Sequence, residues 1–152
     1  MDKLPQSREI AEILAKTGKM GLEECLETKG LALGLYTAIQ GTVDPEREEE
    51  DFDLDPEDEL KNLLKIQALI GALVGLTSSL SRRIKTLVYE SMTEDGEPLE
   101  GRKKKKYTQA DKEYSARGAV ADLEGLENSL DIAARNVESR IFLLRNAVRV
   151  RF

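Results

Sequence analysis

From Leu63 onward, Leu63, Ile66, Ile70, Leu73, Thr77, Leu80, Ile84 and Leu87 follow one another in unbroken steps of three and four residues. That alternation marks a helix whose apolar seam lies against another helix; a strand would need a period of two. A helix from about 59 to 92 is expected. Leu64, Leu69, Val74, Leu76 and Val88 lie off the seam, so the helix must be covered on more than one side. Its acidic start at Asp55 to Glu59, and Arg82, Arg83 and Lys85 nearer its end, suit the helix dipole.

A second long helix is expected from Thr108 to about Val148. Thr108-Gln-Ala-Asp111 is a capping-box-like start with aspartate in place of glutamate. Val120, Leu123, Leu126, Leu130, Ala134, Val137, Ile141, Leu144 and Val148 give it an apolar stripe, weakened by Gly118 and Gly125. Between the two helices, Thr93-Glu-Asp-Gly-Glu-Pro98 carries turn chemistry. The expected fold is therefore all-α, a helical bundle built on a long antiparallel helical hairpin with a coiled-coil-like seam. Self-association is expected through the seam residues Leu63, Ile66, Ile70, Leu73, Leu80, Ile84 and Leu87, giving a homo-oligomer.

Upstream, Ser7 is placed as the N-cap of a short helix to Lys16 with Ile10, Ile13 and Leu14 on one face. An apolar segment runs from Met20 to Gln40, in which Gly21, Gly30 and Gly34 each cost about 1 kcal/mol of helix propensity, to be offset by close packing against a neighbouring helix. Gly71-Ala-Leu-Val-Gly75 has small-residue spacing that would admit a bulky neighbour. Residues 44 to 59 hold 11 acids and two prolines, which oppose regular structure and suit a solvated linker. Three segments result: residues 1–43, a small N-terminal helical segment; 44–58, an acidic linker; and 59–152, the hairpin with its basic loop.

At 152 residues the chain is long enough for one domain with a core of its own. It has no histidine and one cysteine, Cys25. Histidine-based catalytic triads, histidine zinc ligands, disulfides within the chain and four-cysteine zinc sites are all excluded. No cofactor is expected. The free cysteine and the charged first twenty residues suit a cytoplasmic location. The uncharged run Ile66 to Ser81 is shorter than the ~20 apolar residues that span a bilayer, so no membrane partner is expected.

Charge is divided unevenly. Residues 1 to 60 hold 6 basic and 17 acidic side chains, and residues 61 to 152 hold 17 basic and 12 acidic. The basic half has three clusters: Arg82, Arg83 and Lys85; the run Arg102, Lys103, Lys104, Lys105 and Lys106; and the C-terminal Arg140, Arg145 and Arg149. Cations release condensed counterions from phosphates, and Tyr107 beside the lysines supplies a ring on which a base can stack. Single-stranded DNA is the expected partner, with the three clusters converging once the helices pack antiparallel. The rival expectation is a non-catalytic interaction protein, a phage adaptor or anti-defence protein, whose acidic segment mimics DNA.

An enzyme is not expected. Glu23-Glu24-Cys-Leu-Glu27 and Glu48-Glu-Glu-Asp51 resemble the carboxylate motifs of all-α, magnesium-dependent nucleotide pyrophosphohydrolases, but Pro45 and Pro56 oppose the second helix such a site needs.

From Leu80 onward the order of parts resembles UvsY-type phage recombination mediators. The parts are Ser81-Arg-Arg-Ile-Lys-Thr-Leu-Val-Tyr89, Thr93-Glu-Asp-Gly-Glu97, Lys103 to Tyr107, Thr108-Gln-Ala-Asp-Lys112, and Asn136 to Arg145. This resemblance implies a small helical homo-oligomer that binds single-stranded DNA and helps load a RecA-like recombinase onto strands covered by single-strand-binding protein. It implies DNA contacts at Arg82, Arg83 and Lys85. The N-terminal region departs from the pattern.

Overall fold

The computed structural model describes residues 4–43, 55–94 and 107–151. Four helices make up the described chain: α1 (Ser7–Lys16), α2 (Leu22–Val43), α3 (Pro56–Glu94) and α4 (Gln109–Arg151). A single 3-10 turn, Thr17–Lys19, joins α1 towards α2.

Helices α3 and α4 have 39 and 43 residues, or roughly 58 and 64 Å at 1.5 Å per residue. They lie side by side and antiparallel: Glu59 near the start of α3 meets Arg140 far along α4, whereas Lys85 nearer its end meets Glu124. The seam drives this pairing. Ile70, Leu73, Leu80 and Ile84 are at most 2% exposed, as are Val120, Leu123, Leu130 and Val137 on α4. Each such side chain contributes about 1.5–3 kcal/mol of transfer free energy. Thr77 interrupts the apolar seam, but its buried hydroxyl is satisfied, donating to the Leu73 carbonyl of its own helix at 2.8 Å.

This burial corrects the expected mode of self-association. Leu63, Ile66, Ile70, Leu73, Leu80 and Ile84 are buried, and Leu87 partly so, in a core made by the chain's own helices. A seam needs one partner helix. Here α4 is that partner, so these residues are not a surface for a second subunit.

Helices α1 and α2 cover further faces of α3. Ile10 is 1% exposed with Ile13 and Leu14 beside it, and the Leu14 methyl lies 3.5 Å from where a β-carbon on Gly75 would stand. The bulky neighbour that Gly75 was expected to admit is therefore Leu14. Ser79 donates a hydrogen bond to the Thr17 hydroxyl, which donates in turn to Leu14 O. Leu14 beside Gly75, Thr17 beside Ser79 and Met20 beside Arg83 run α1 parallel to α3. Helix α2 packs on both α3 and α4, burying Cys25, Ala32 and Ile39 at seven-residue spacing on one stripe. Its glycines depart from expectation: among the described residues a β-carbon on Gly30 or Gly34 would meet nothing within 4 Å, so no close helix contact there offsets their cost.

Helix boundaries differ in three places, one being the end of α3, which takes in Thr93 and Glu94 of the expected turn. Ser7 is the first residue of α1, and Gln6 is the N-cap without a side-chain bond. Helix α3 begins at Pro56, inside the segment read as linker. Proline suits the first helical position, where its missing N–H would have had no partner, and Glu57, Asp58 and Glu59 complement the positive end of the dipole. The start of α4 follows the expected box: Asp111 N donates to Thr108 Oγ1 at 3.1 Å and Thr108 N to Asp111 Oδ2 at 3.0 Å.

By length and composition α3 is apolar enough to cross a membrane, and its apolar seam lies against α4.

Candidate nucleic-acid interface

The hairpin sets where each expected cation sits. Helix α3 ends at Glu94 and α4 starts at Gln109, and the antiparallel packing puts these two helix ends at the same end of the hairpin. Arg102, Lys103, Lys104, Lys105 and Lys106 lie outside the described residues. Tyr107, the first described residue after them, is 39% exposed.

Arg82 is exposed on α3, twelve residues before its end, about 18 Å from the tip. Arg83 is half-buried and committed elsewhere, its Nε donating to Met20 O at 2.9 Å. That bond ties the start of the α2 region to α3, a structural use of a cation expected to meet phosphate. Lys85 is 3.5 Å from Glu124 of α4, and nearby Ser78 donates to Glu127 at 3.1 Å. The flank of the hairpin beside residues 78 to 85 thus mixes carboxylates with its cations.

The C-terminal arginines do not join the other clusters. Arg145 follows Tyr107 by 38 positions along α4, which is about 57 Å. Arg140 is bound to Glu59, Arg135 to Asp131 at 3.0 Å, and the side chain of Arg149 lies outside the described residues. Arg145 is exposed, as are Phe142 and Leu143 just before it. The expected convergence of three clusters fails for the C-terminal one. An antiparallel hairpin brings the end of α3 to the start of α4 and sends the end of α4 to the opposite pole.

One cation at the tip went unnoticed in the sequence. Arg117 is exposed on α4, eight residues after the helix starts, about 12 Å from the tip. It stands alone between an alanine and a glycine, and no local run marks it. Lys19 is a second: it is exposed and precedes Met20, which contacts Arg83, so it sits at the level of Arg82 and Arg83.

Helix α2 carries the first half of the pyrophosphohydrolase-like motif. Glu23, Glu24 and Glu27 are exposed in its opening turns, where Glu23 and Glu24 complement the dipole; Glu48 to Asp51 lie outside the described residues. Among the described residues no group of three or more potential metal ligands comes together. Cys25 is fully buried, and burial pushes its thiol up from the ordinary value, with the Arg83 charge acting against that shift and Glu24 with it.

No family model, curated protein or solved structure matches the chain.

Proposed function

We propose that the chain is a non-catalytic helical accessory protein that binds single-stranded DNA at the tip of its hairpin and, as the resemblance to UvsY-type mediators implies, helps load a RecA-like recombinase onto strands covered by single-strand-binding protein. One observation supports the proposal: in the antiparallel pair α3 and α4, exposed Arg82 and Arg117 lie within about 18 Å of the end at which exposed Tyr107 precedes α4, and in the sequence the polybasic run 102–106 comes immediately before Tyr107. Backbone phosphates would meet the cations, and a base would stack on Tyr107. Arg83, Lys85 and Arg140 hold the fold together and stand outside this interface.

Fluorescence anisotropy of a labelled single strand at two salt concentrations tests it. Affinity is expected to fall steeply with salt, and changing Lys103 to Lys106 to alanine should weaken binding and flatten that slope. Arg117→Ala should weaken binding equally for all sequences, and Arg145→Ala should leave it unchanged. No binding at low salt would overturn the proposal. The rival, a protein-interaction module, draws support from the neutralised hairpin flank and from exposed Phe142 and Leu143 at the opposite pole.

A further inference from the structure

The outer side of α4 carries a second seam that this chain leaves uncovered. From Tyr114 to Asn146, ten positions in steps of four and three are all exposed, and none is charged, although 14 of the 43 residues of α4 are Asp, Glu, Lys or Arg. Three of the ten are large and apolar: Tyr114 is 83% exposed, Ile132 58% and Leu143 66%. A sustained stripe of this spacing is what a helix presents to a partner helix.

The order of residues along the stripe selects the partner. The spacing reads the same in both directions from Ile132. Two copies of α4 placed antiparallel about an axis at Ile132 would set small against large, Ala121 facing Leu143 and Gly118 facing Asn146. Gly125 would face Ser139, permitting close approach, and Asn128 would face Asn136, where two amides can exchange hydrogen bonds and hold the register. Among the described residues a β-carbon on Gly118 or Gly125 would meet nothing within 4 Å, so the described fold of one copy does not call for glycine there. The backbone of a second helix would.

Charge selects the same orientation. Residues 109 to 130 hold five acids and two bases, and residues 131 to 151 hold two acids and five bases. Antiparallel copies set the acidic half of each helix against the basic half of the other; parallel copies would oppose like charges. Part of this charge is used within the chain, through Arg140 with Glu59, Glu124 with Lys85, Asp122 with Lys29 and Asp131 with Arg135, and Arg117 and Arg145 are among those left exposed.

We propose that a second copy of this chain docks antiparallel on the outer face of α4, about a two-fold axis at Ile132, whatever the hairpin tip binds. Light scattering of the full chain should give the mass of two copies. The double variant Ile132→Asp, Leu143→Asp should give the mass of one with undiminished helicity by circular dichroism, because both side chains are exposed in the single chain. A one-chain mass for the unaltered protein at its highest soluble concentration, or a two-chain mass for the variant, overturns the proposal. Orientation has its own readout, with buried Cys25 as the silent background. Ile132→Cys should form an interchain disulfide alone, and Ala121→Cys only when mixed with Leu143→Cys. Self-linking of Tyr114→Cys would mean parallel copies and would overturn the assignment.

Discussion

The guanidinium of Arg140 donates from Nε to Oε1 of Glu59 at 2.8 Å, and a second bond from Nη2 reaches the same oxygen. The two residues are 81 positions apart, and their contact pins the start of α3 to the far third of α4. A cation that the sequence offers to phosphate thereby becomes a clamp on the hairpin.

Breaking that clamp should cost stability and leave nucleic-acid affinity untouched. Arg140→Met keeps the apolar stem and should lower stability by about 1 kcal/mol, a modest figure because the pair is only partly buried. Urea denaturation reads the loss, and the swap Arg140→Glu with Glu59→Arg should recover most of it. An unchanged midpoint in Arg140→Met would mean that the pair is equivalent to solvated charges.

Leu73 is fully buried between the chain's own helices, so damage there should unfold the chain and not separate subunits. Leu73→Ala should lose about 2–5 kcal/mol. Leu73→Asp should abolish the helical circular dichroism signal; a folded but lighter particle would return the seam to an intersubunit role.

Gly34 sits in the interior of α2 with nothing near its absent β-carbon. Gly34→Ala should therefore stabilise by about 0.5–1 kcal/mol, through lower chain entropy in the unfolded state and better helix propensity. Thermal denaturation measures it, and a loss of stability would reveal a close neighbour at that face.

The Cys25 thiol is held above its ordinary pKa chiefly by burial. Below the ordinary thiol range, about 8.5, folded and unfolded chains both keep the proton and the effect on stability is constant. Above it the unfolded chain releases the proton first, so stability should fall as pH rises. The urea midpoint should drop from neutral to alkaline pH more in the unaltered protein than in Cys25→Ala; parallel pH profiles would show that the thiol does not contribute.

Much of the architecture was legible. The heptad at Leu63 to Leu87 specified α3, and the reciprocal bonds of Thr108 and Asp111 placed the start of α4, because both signals are local and repeat at the helical period. Pro56 was misread because an acidic run with two prolines looks the same whether a proline breaks a helix or begins one. The candidate site was less legible. Lysines 103 to 106 form a visible run, but Arg117 is one isolated cation, and only its place on an antiparallel helix brings it to the tip.

Periodicity and capping chemistry therefore sufficed to say which residues are helical and which face of each helix is apolar, since these depend on contacts within a few positions. Which apolar face meets which helix, and which charges stay free, depends on pairings such as Arg140 with Glu59 and Arg83 with the Met20 carbonyl, across 81 and 63 positions. A seam is compatible with a partner from the same chain or from another, and a cation with a carboxylate or a phosphate. The packing of α4 on α3 decided the first and committed Arg140 and Arg83 within the chain, because burying one long stripe leaves the opposite stripe bare and sends the two ends of each helix to opposite poles.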